Sequence, residues 1–128
     1  MDIASAEFWQ AVVGAARGER LRAKSHHLES CTIGLEIDGQ RQTLEFHKGI
    51  VVLDAEPGPR GARVVIRGPR DEWERLIGGT IHYMRAINGL HGHLRLDGDF
   101  LVATWAGPAL CELMRVAVQV RNRANDRG

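Results

Sequence analysis

Six histidines, two cysteines and the carboxylates Asp97 and Asp99 are the residues of this 128-residue chain whose types and spacing invite a chemical reading. His91 and His93 stand two apart, and alternate positions of a strand place two imidazoles on one face, as some metal sites require. His26 and His27 are adjacent. Yet there is no HExxH, no cluster of histidine with carboxylates and no cysteine at ligand spacing, so no metal centre and no cofactor is expected. Nucleophilic catalysis finds equally little support. The only serines are Ser5, Ser25 and Ser30, none in a G-x-S-x-G elbow, and neither Cys31 nor Cys111 sits beside a basic cluster that would lower its pKa. The two cysteines lie far apart, with no C-x-x-C, and read as reduced, buried small hydrophobes. Asp97-Gly98-Asp99 has the composition of a tight turn rather than of a catalytic pair. Gly89-Leu90-His91-Gly92 lacks the spacing of a phosphate loop. What remains for an enzyme is an acid–base pair of His93 with Asp97 or Asp99.

Charge narrows the classes of partner. The chain has 17 basic and 16 acidic side chains, a formal net charge of +1, which argues against nucleic-acid binding driven by surplus positive charge. Every basic residue but Lys24 and Lys48 is arginine, a bias expected from GC-rich coding in a bacterial source, with selection for fork-shaped donors as the alternative. Arg60, Arg63, Arg67 and Arg70 form a basic run in which Arg63 and Arg67 share a strand face. Cross-strand pairing of these with Glu36 and Glu45 on a solvated face is expected, with an acidic partner or anionic ligand as the alternative. The acidic start, Asp2 to Glu7, has neither the basic segment nor the apolar run of a signal peptide, and the end carries no peroxisomal Ser-Lys-Leu. No stretch approaches the ~20 apolar residues of a membrane helix. A cytoplasmic location is the expectation.

The conspicuous material is apolar. Trp73, Ile77, Ile81, Tyr83, Met84, Ile87, Phe100, Leu101, Trp105, Leu110, Leu113 and Met114 crowd the C-terminal half. Flexible methionines and flat indoles suit an adaptable apolar cavity, and equally a filled core.

The elements that would position these residues follow from hydrophobic period. Ser5 to about Lys24 reads as an amphipathic helix, with Ser5 as its N-cap and Gly14 and Gly18 as weak points. Cys31, Ile33, Leu35 and Ile37 alternate with polar residues in a strand, and Asp38-Gly39 signals a hairpin. The return strand spans about Arg41 to His47, and Ile50 to Asp54 and the Val64–Ile66 segment make two more, separated by a loop over Glu56–Gly61. Four consecutive strands predict an antiparallel sheet with one wet face. A helix after Pro69 carries Trp73, Leu76 and Ile77 and stops at Gly78-Gly79. Thr80 caps a second helix with Ile81, Met84 and Ile87, or Tyr83 and Ile87, inward, closed by Asn88-Gly89 in an αL cap. A strand from His93 to Leu96 precedes the Asp97-Gly98-Asp99 turn. Phe100 to Trp105 fits strand or helix, and Gly107-Pro108 opens the last helix, Ala109 to about Asn122, before a frayed polar tail. Length and the absence of a linker predict one domain over residues 1–128, with its core at about 5–120.

This order resembles the sterol carrier protein type 2 family. The resemblance is carried by Val64-Val65-Ile66-Arg67-Gly68-Pro69-Arg70-Asp71-Glu72-Trp73, the Gly78-Gly79 stop, Met84-x-Ala86, and Gly92-x-Leu94-x-Leu96-x-Gly98-Asp99. It implies an α+β fold, a mainly antiparallel sheet of about five strands with helices on one face. It also implies non-enzymatic binding or carriage of a fatty acyl chain, sterol or other lipid in an apolar cavity between sheet and helices. The ligand would touch Trp73, Ile77, Ile81, Met84, Ile87, Phe100, Trp105, Leu110, Leu113 and Met114. Gly98-Asp99 would serve the fold, and the absence of a peroxisomal signal suggests a bacterial member. Trp105, Gly107-Pro108 and the arginines at Arg121 and Arg123 depart from the less aromatic end expected of the family. Two other readings stay open: a small cone-type α+β cyclase or isomerase, and an accessory subunit whose dry face docks on a partner enzyme or on a second copy.

Overall fold

The computed structural model describes residues 2–54, 61–89 and 92–127. Chain order is α1 (Ala6–Ala15), α2 (Glu19–Ser25), β1 (Cys31–Ile37), β2 (Gln40–His47), β3 (Ile50–Asp54), β4 (Val64–Gly68), α3 (Arg70–Ile77), α4 (Tyr83–Ala86), β5 (Arg95–Gly98) and α5 (Phe100–Arg127). The strands form one sheet in the order β3-β2-β1-β4-β5. The architecture is α+β with a mostly antiparallel sheet, as the sequence order implies.

Ser5 caps α1, its hydroxyl accepting from the Phe8 N–H at 3.1 Å. The single helix expected to reach Lys24 is in fact two. Gly18, at φ 153°, holds a backbone conformation that L side chains rarely adopt and separates α1 from α2. The Asp38-Gly39 hairpin forms as its residues dictate, with φ of 49° and 83° and Ile37 paired to Gln40. A second turn of the same kind, at Lys48-Gly49, joins β2 to β3.

The sheet departs from a plain antiparallel run at β4. This strand does not pair with β3; it crosses to the far side of β1 and lies parallel to it, Ile33 opposite Val64 and Leu35 opposite Ile66. Adjacency in sequence is therefore not kept in space between β3 and β4. Most of the loop expected over Glu56–Gly61 lies outside the described residues. The new neighbours change the ion pairs. Arg63 meets Asp99 at 3.2 Å and Arg67 meets Asp97 at 2.9 Å, because β5 and not β2 borders β4. Glu36 pairs with Arg41 instead.

Three C-terminal boundaries also shift. Asp97 and Gly98 belong to β5, paired with Val65 and Val64, rather than to a turn. Thr80 does not cap α4; His82 does, its Nδ1 accepting from the Met84 N–H at 3.2 Å, and neither Asn88 nor Gly89 takes the αL conformation. The last helix starts at Phe100, well before Pro108, which sits inside it. The Asp99 side chain accepts from the N–H groups of Leu101 and Val102 at 3.0 and 3.3 Å, satisfying donors that a helix start leaves open. By length and composition α5 meets the requirement for a membrane span, contrary to the sequence reading. Half of that window is buried against the rest of the chain.

The core lies between the inner sheet face and the helices. Ile33, Leu35, Ile37, Leu44, Phe46 and Ile66 face Phe8, Trp9 and Val12 of α1, Trp73 and Ile77 of α3, and Leu110, Leu113 and Ala117 of α5. Trp9, which the periodicity of α1 does not single out, is at its centre. Its ring meets Phe8 at 5.3 Å and Trp73 at 6.3 Å, both edge-to-face, and its indole N–H donates to the Ile3 carbonyl.

Candidate ligand-binding site

The ten residues expected to line a cavity separate into distinct environments. Trp73, Ile77, Leu110 and Leu113 are fully buried core side chains. Trp73 is further tied down by its indole N–H, which donates to the Glu36 carbonyl at 3.0 Å. Ile87 is half-buried against the same core. Met84 and Phe100 project to the outside. Ile81, Met114 and Trp105 line clefts. Trp73, Ile77, Leu110 and Leu113 thus help to fill the space between sheet and helices, and two clefts open beside the helical layer.

The larger cleft, about 760 Å³, is bounded by the link between α2 and β1, by Arg63 ahead of β4, and by the first turns of α5. Its apolar groups are Leu28, Cys31, Leu101, Val102 and Trp105; Arg63, Asp99, Glu29, Ser30 and Thr104 supply polar ones. His27 joins the two sides. Its Nε2 lies 2.8 Å from the Trp105 carbonyl oxygen, and its ring is 6.1 Å from the indole. Burial pushes the Cys31 thiol above its usual pKa, with Arg63 opposing, so the thiol behaves as apolar wall and not as a nucleophile. Among the described residues lining this cleft, Arg63 supplies the one guanidinium, and it is paired with Asp99.

Folding rules explain how the cleft arises. Asp99 starts α5 immediately after β5, and Gly98 makes that junction feasible: its φ is 118°, and a Cβ there would overlap the Arg63 carbonyl. The helix therefore leaves the sheet edge beside β4, with Leu101 and Trp105, four residues apart, on one face. Sequence reasoning missed Leu28 and His27, which fall in an aperiodic link, and the available signal was only that Leu28 follows α2 at helical spacing from Leu21.

A smaller cleft, about 530 Å³, runs between α2, the α3–α4 link and α5. Ile81, Tyr83 and Met114 line it together with Arg20, Lys24, Glu112 and Arg115. Glu112 is nearly buried. Hydrogen bonds from Arg115, at 3.0 and 2.5 Å, hold its carboxyl below the usual range against the opposing effect of burial. Burial drives the Tyr83 phenol well above its ordinary pKa, and its hydroxyl has no hydrogen-bond partner among the described residues.

The residues proposed for acid–base chemistry are not brought together as such. His93 is exposed, Asp97 is held by Arg67, and Asp99 is divided between Arg63 and the start of α5. His91 lies outside the described residues, and among those described no three of His, Cys, Asp or Glu gather at metal-binding distance.

Solved structures share this architecture. A crystal structure of sterol carrier protein 2 superposes with a TM-score of 0.71 and 19% identity over 91% of this chain and 98% of its own. The solution structure of a conserved hypothetical protein from Thermus thermophilus, itself a candidate sterol carrier protein, gives 0.70 and 21% over 94% and 90%. A ubiquinone synthesis protein, UbiJ-SCP2, gives 0.53 and 15% over 87% and 84%. No protein-family model and no curated protein matches the sequence.

Proposed function

We propose that this chain, which has the sterol carrier protein 2 fold, binds and carries a hydrophobic ligand in the larger cleft. The observation that supports this reading is the cleft itself. At about 760 Å³ it falls within the ~300–1,000 Å³ usual for small-molecule sites, and it displays the side chains of Leu101 and Trp105 rather than burying them. A fatty acyl chain, a sterol or another lipid would gain affinity from burial at roughly 25 cal/mol per Å², with little dependence on the details of its shape. The Arg63–Asp99 pair offers one polar group to a headgroup, since a ligand carboxylate can take over the guanidinium.

Of the ten residues expected from the sequence, Trp105 is the one we retain as a direct contact; Ile81 and Met114 line the smaller cleft, a second place for the same class of ligand. The chain needs no chemistry of its own for this role. Cytoplasmic residence in a bacterium belongs to the same proposal, in which the arginine-rich composition supports the bacterial source alone. Native mass spectrometry of the purified protein, followed by organic extraction, tests the reading. A lipid retained at close to one per chain is expected. A bare mass that is also unchanged by added fatty acid would overturn it.

A further inference from the structure

Three large apolar side chains stand in solvent at one end of the molecule: Phe100 is 75% exposed, Leu101 78% and Trp105 66%. They occupy the first two turns of α5, while Ala103 and Ala106 of the same turns are buried. We propose that this tip is a membrane-docking element, which inserts Phe100, Leu101 and Trp105 into a lipid surface.

The chemistry of the tip selects the occupant. Aromatic side chains bury about 150–250 Å² each, so the tip offers about 400 Å² of apolar surface at these exposures. A stable protein–protein interface needs about 800 Å² on each partner, which makes a second copy of the chain a poor match. A lipid surface imposes no such minimum and accepts protruding side chains one by one. Tryptophan and phenylalanine are the residues that sit best where headgroups meet acyl chains. Charge says how the docking works. Arg63, which lines the cleft beside Leu101 and Trp105, is neutralised by Asp99 at 3.2 Å, and Glu29 lines the same cleft. Among the described residues that line the adjoining cleft there is no surplus of arginine or lysine over carboxylate to attract anionic lipid. Insertion rather than electrostatic attraction therefore drives the docking, and zwitterionic lipid is sufficient.

Two of the three residues, Leu101 and Trp105, also line the larger cleft. A docked tip therefore sets the rim of the cleft against the acyl chains, and a ligand passes between bilayer and cleft without crossing water. That consequence rests on the proposed carrier role; the docking does not.

Tryptophan fluorescence tests the proposal directly, because Trp9 and Trp73 are fully buried and Trp105 alone is exposed. On mixing with phosphatidylcholine vesicles the emission is expected to shift to the blue, and bromine on the lipid acyl chains to quench it. Phe100→Asp is expected to weaken partition by about tenfold or more, since an inserted ring is replaced by a charge. Phe100→Ser gives the same direction without a charge. Phe100 does not line the cleft, so both variants keep the native circular dichroism and bind a fluorescent fatty acid as the parent does. High salt changes partition by less than about twofold. No partition of the parent, undiminished partition of Phe100→Asp, or loss of partition in salt would each overturn the proposal. So would a dimer in sedimentation that Phe100→Asp disperses, which assigns the tip to a second copy. Failure of ligand binding in parent and variants alike, with vesicle partition intact, counts against the carrier role and leaves the docking standing.

Discussion

The Nε2 of His27 lies 2.8 Å from the backbone oxygen of Trp105, and the two rings meet at 6.1 Å with an interplanar angle of 62°. This contact joins the link that follows α2 to the second turn of α5, on either side of the larger cleft. It requires the tautomer with hydrogen on Nε2, because a carbonyl oxygen only accepts.

Replacing His27 by Ala is therefore expected to loosen the cleft more than the fold. The lost hydrogen bond is partly exposed, and its removal costs about 1 kcal/mol or less. Hydrogen exchange checks this. Amides of residues 26–30 and 101–105 are expected to exchange faster, with protection in β1 and β2 unchanged. Unaltered exchange in both segments would mean that the contact orders neither.

Trp73 is expected to answer to stability and not to ligand. Its ring stands edge-on to Trp9 at 6.3 Å and its N–H is satisfied by Glu36. Trp73→Ala removes about 3–5 kcal/mol, a large share of the ~5–15 kcal/mol that holds a domain of this kind. Trp73→Phe keeps a ring but leaves the Glu36 carbonyl without its donor, and costs about 1–3 kcal/mol. Denaturant midpoints measure both. A Trp73→Ala protein of nearly native stability that no longer binds fatty acid would place Trp73 in the ligand site, as the composition of the C-terminal half suggests.

Glu112 makes an acid-side prediction. Arg115 holds its carboxyl below the unfolded value, so the folded state binds this proton less readily than the unfolded chain. The stability it contributes is complete above the ordinary pKa of a glutamate, and is lost as pH falls from there through the lowered folded value. Glu112→Gln is expected to cost about 1 kcal/mol at neutral pH, because Arg115 is partly exposed, and to flatten the stability profile on the acid side. Thermal melts from neutral pH down to acid conditions test it. Parallel curves for parent and variant would remove the assignment.

Much of the fold is legible in the sequence because its signals are local. Ser5 announces α1, Asp38-Gly39 announces the first hairpin, and Gly78-Gly79 ends α3, where the N–H groups of Gly79 and Thr80 turn back to the carbonyls of Leu76 and Arg75. What escapes is what local pattern does not encode. Nothing in Val64–Gly68 says that its neighbour is β1 rather than β3, since the alternation is the same either way. Pro108 reads as the start of a helix because proline suits a first turn, yet the true start is Asp99, an N-cap hidden behind Phe100 to Trp105, a run rich in strand formers.

The candidate site is less legible, for a different physical reason. Trp73, Leu110 and Leu113 have the composition of either a filled core or a cavity wall, and only packing decides between them. Packing fills the sheet–helix layer with the indoles of Trp9 and Trp73. The larger cleft opens at the start of α5, where Leu28, Leu101 and Trp105 line it.

The most direct test of the carrier role is the titration of a fluorescent fatty acid into the parent protein and into Thr104→Trp. Thr104 lines the larger cleft from an exposed position on α5, so an indole there fills the cleft without disturbing the core or adding charge. Saturable binding near one per chain is predicted for the parent, weakened about tenfold or more in the variant. No saturable binding by the parent, or equal affinity in a folded Thr104→Trp, would contradict a ligand in this cleft.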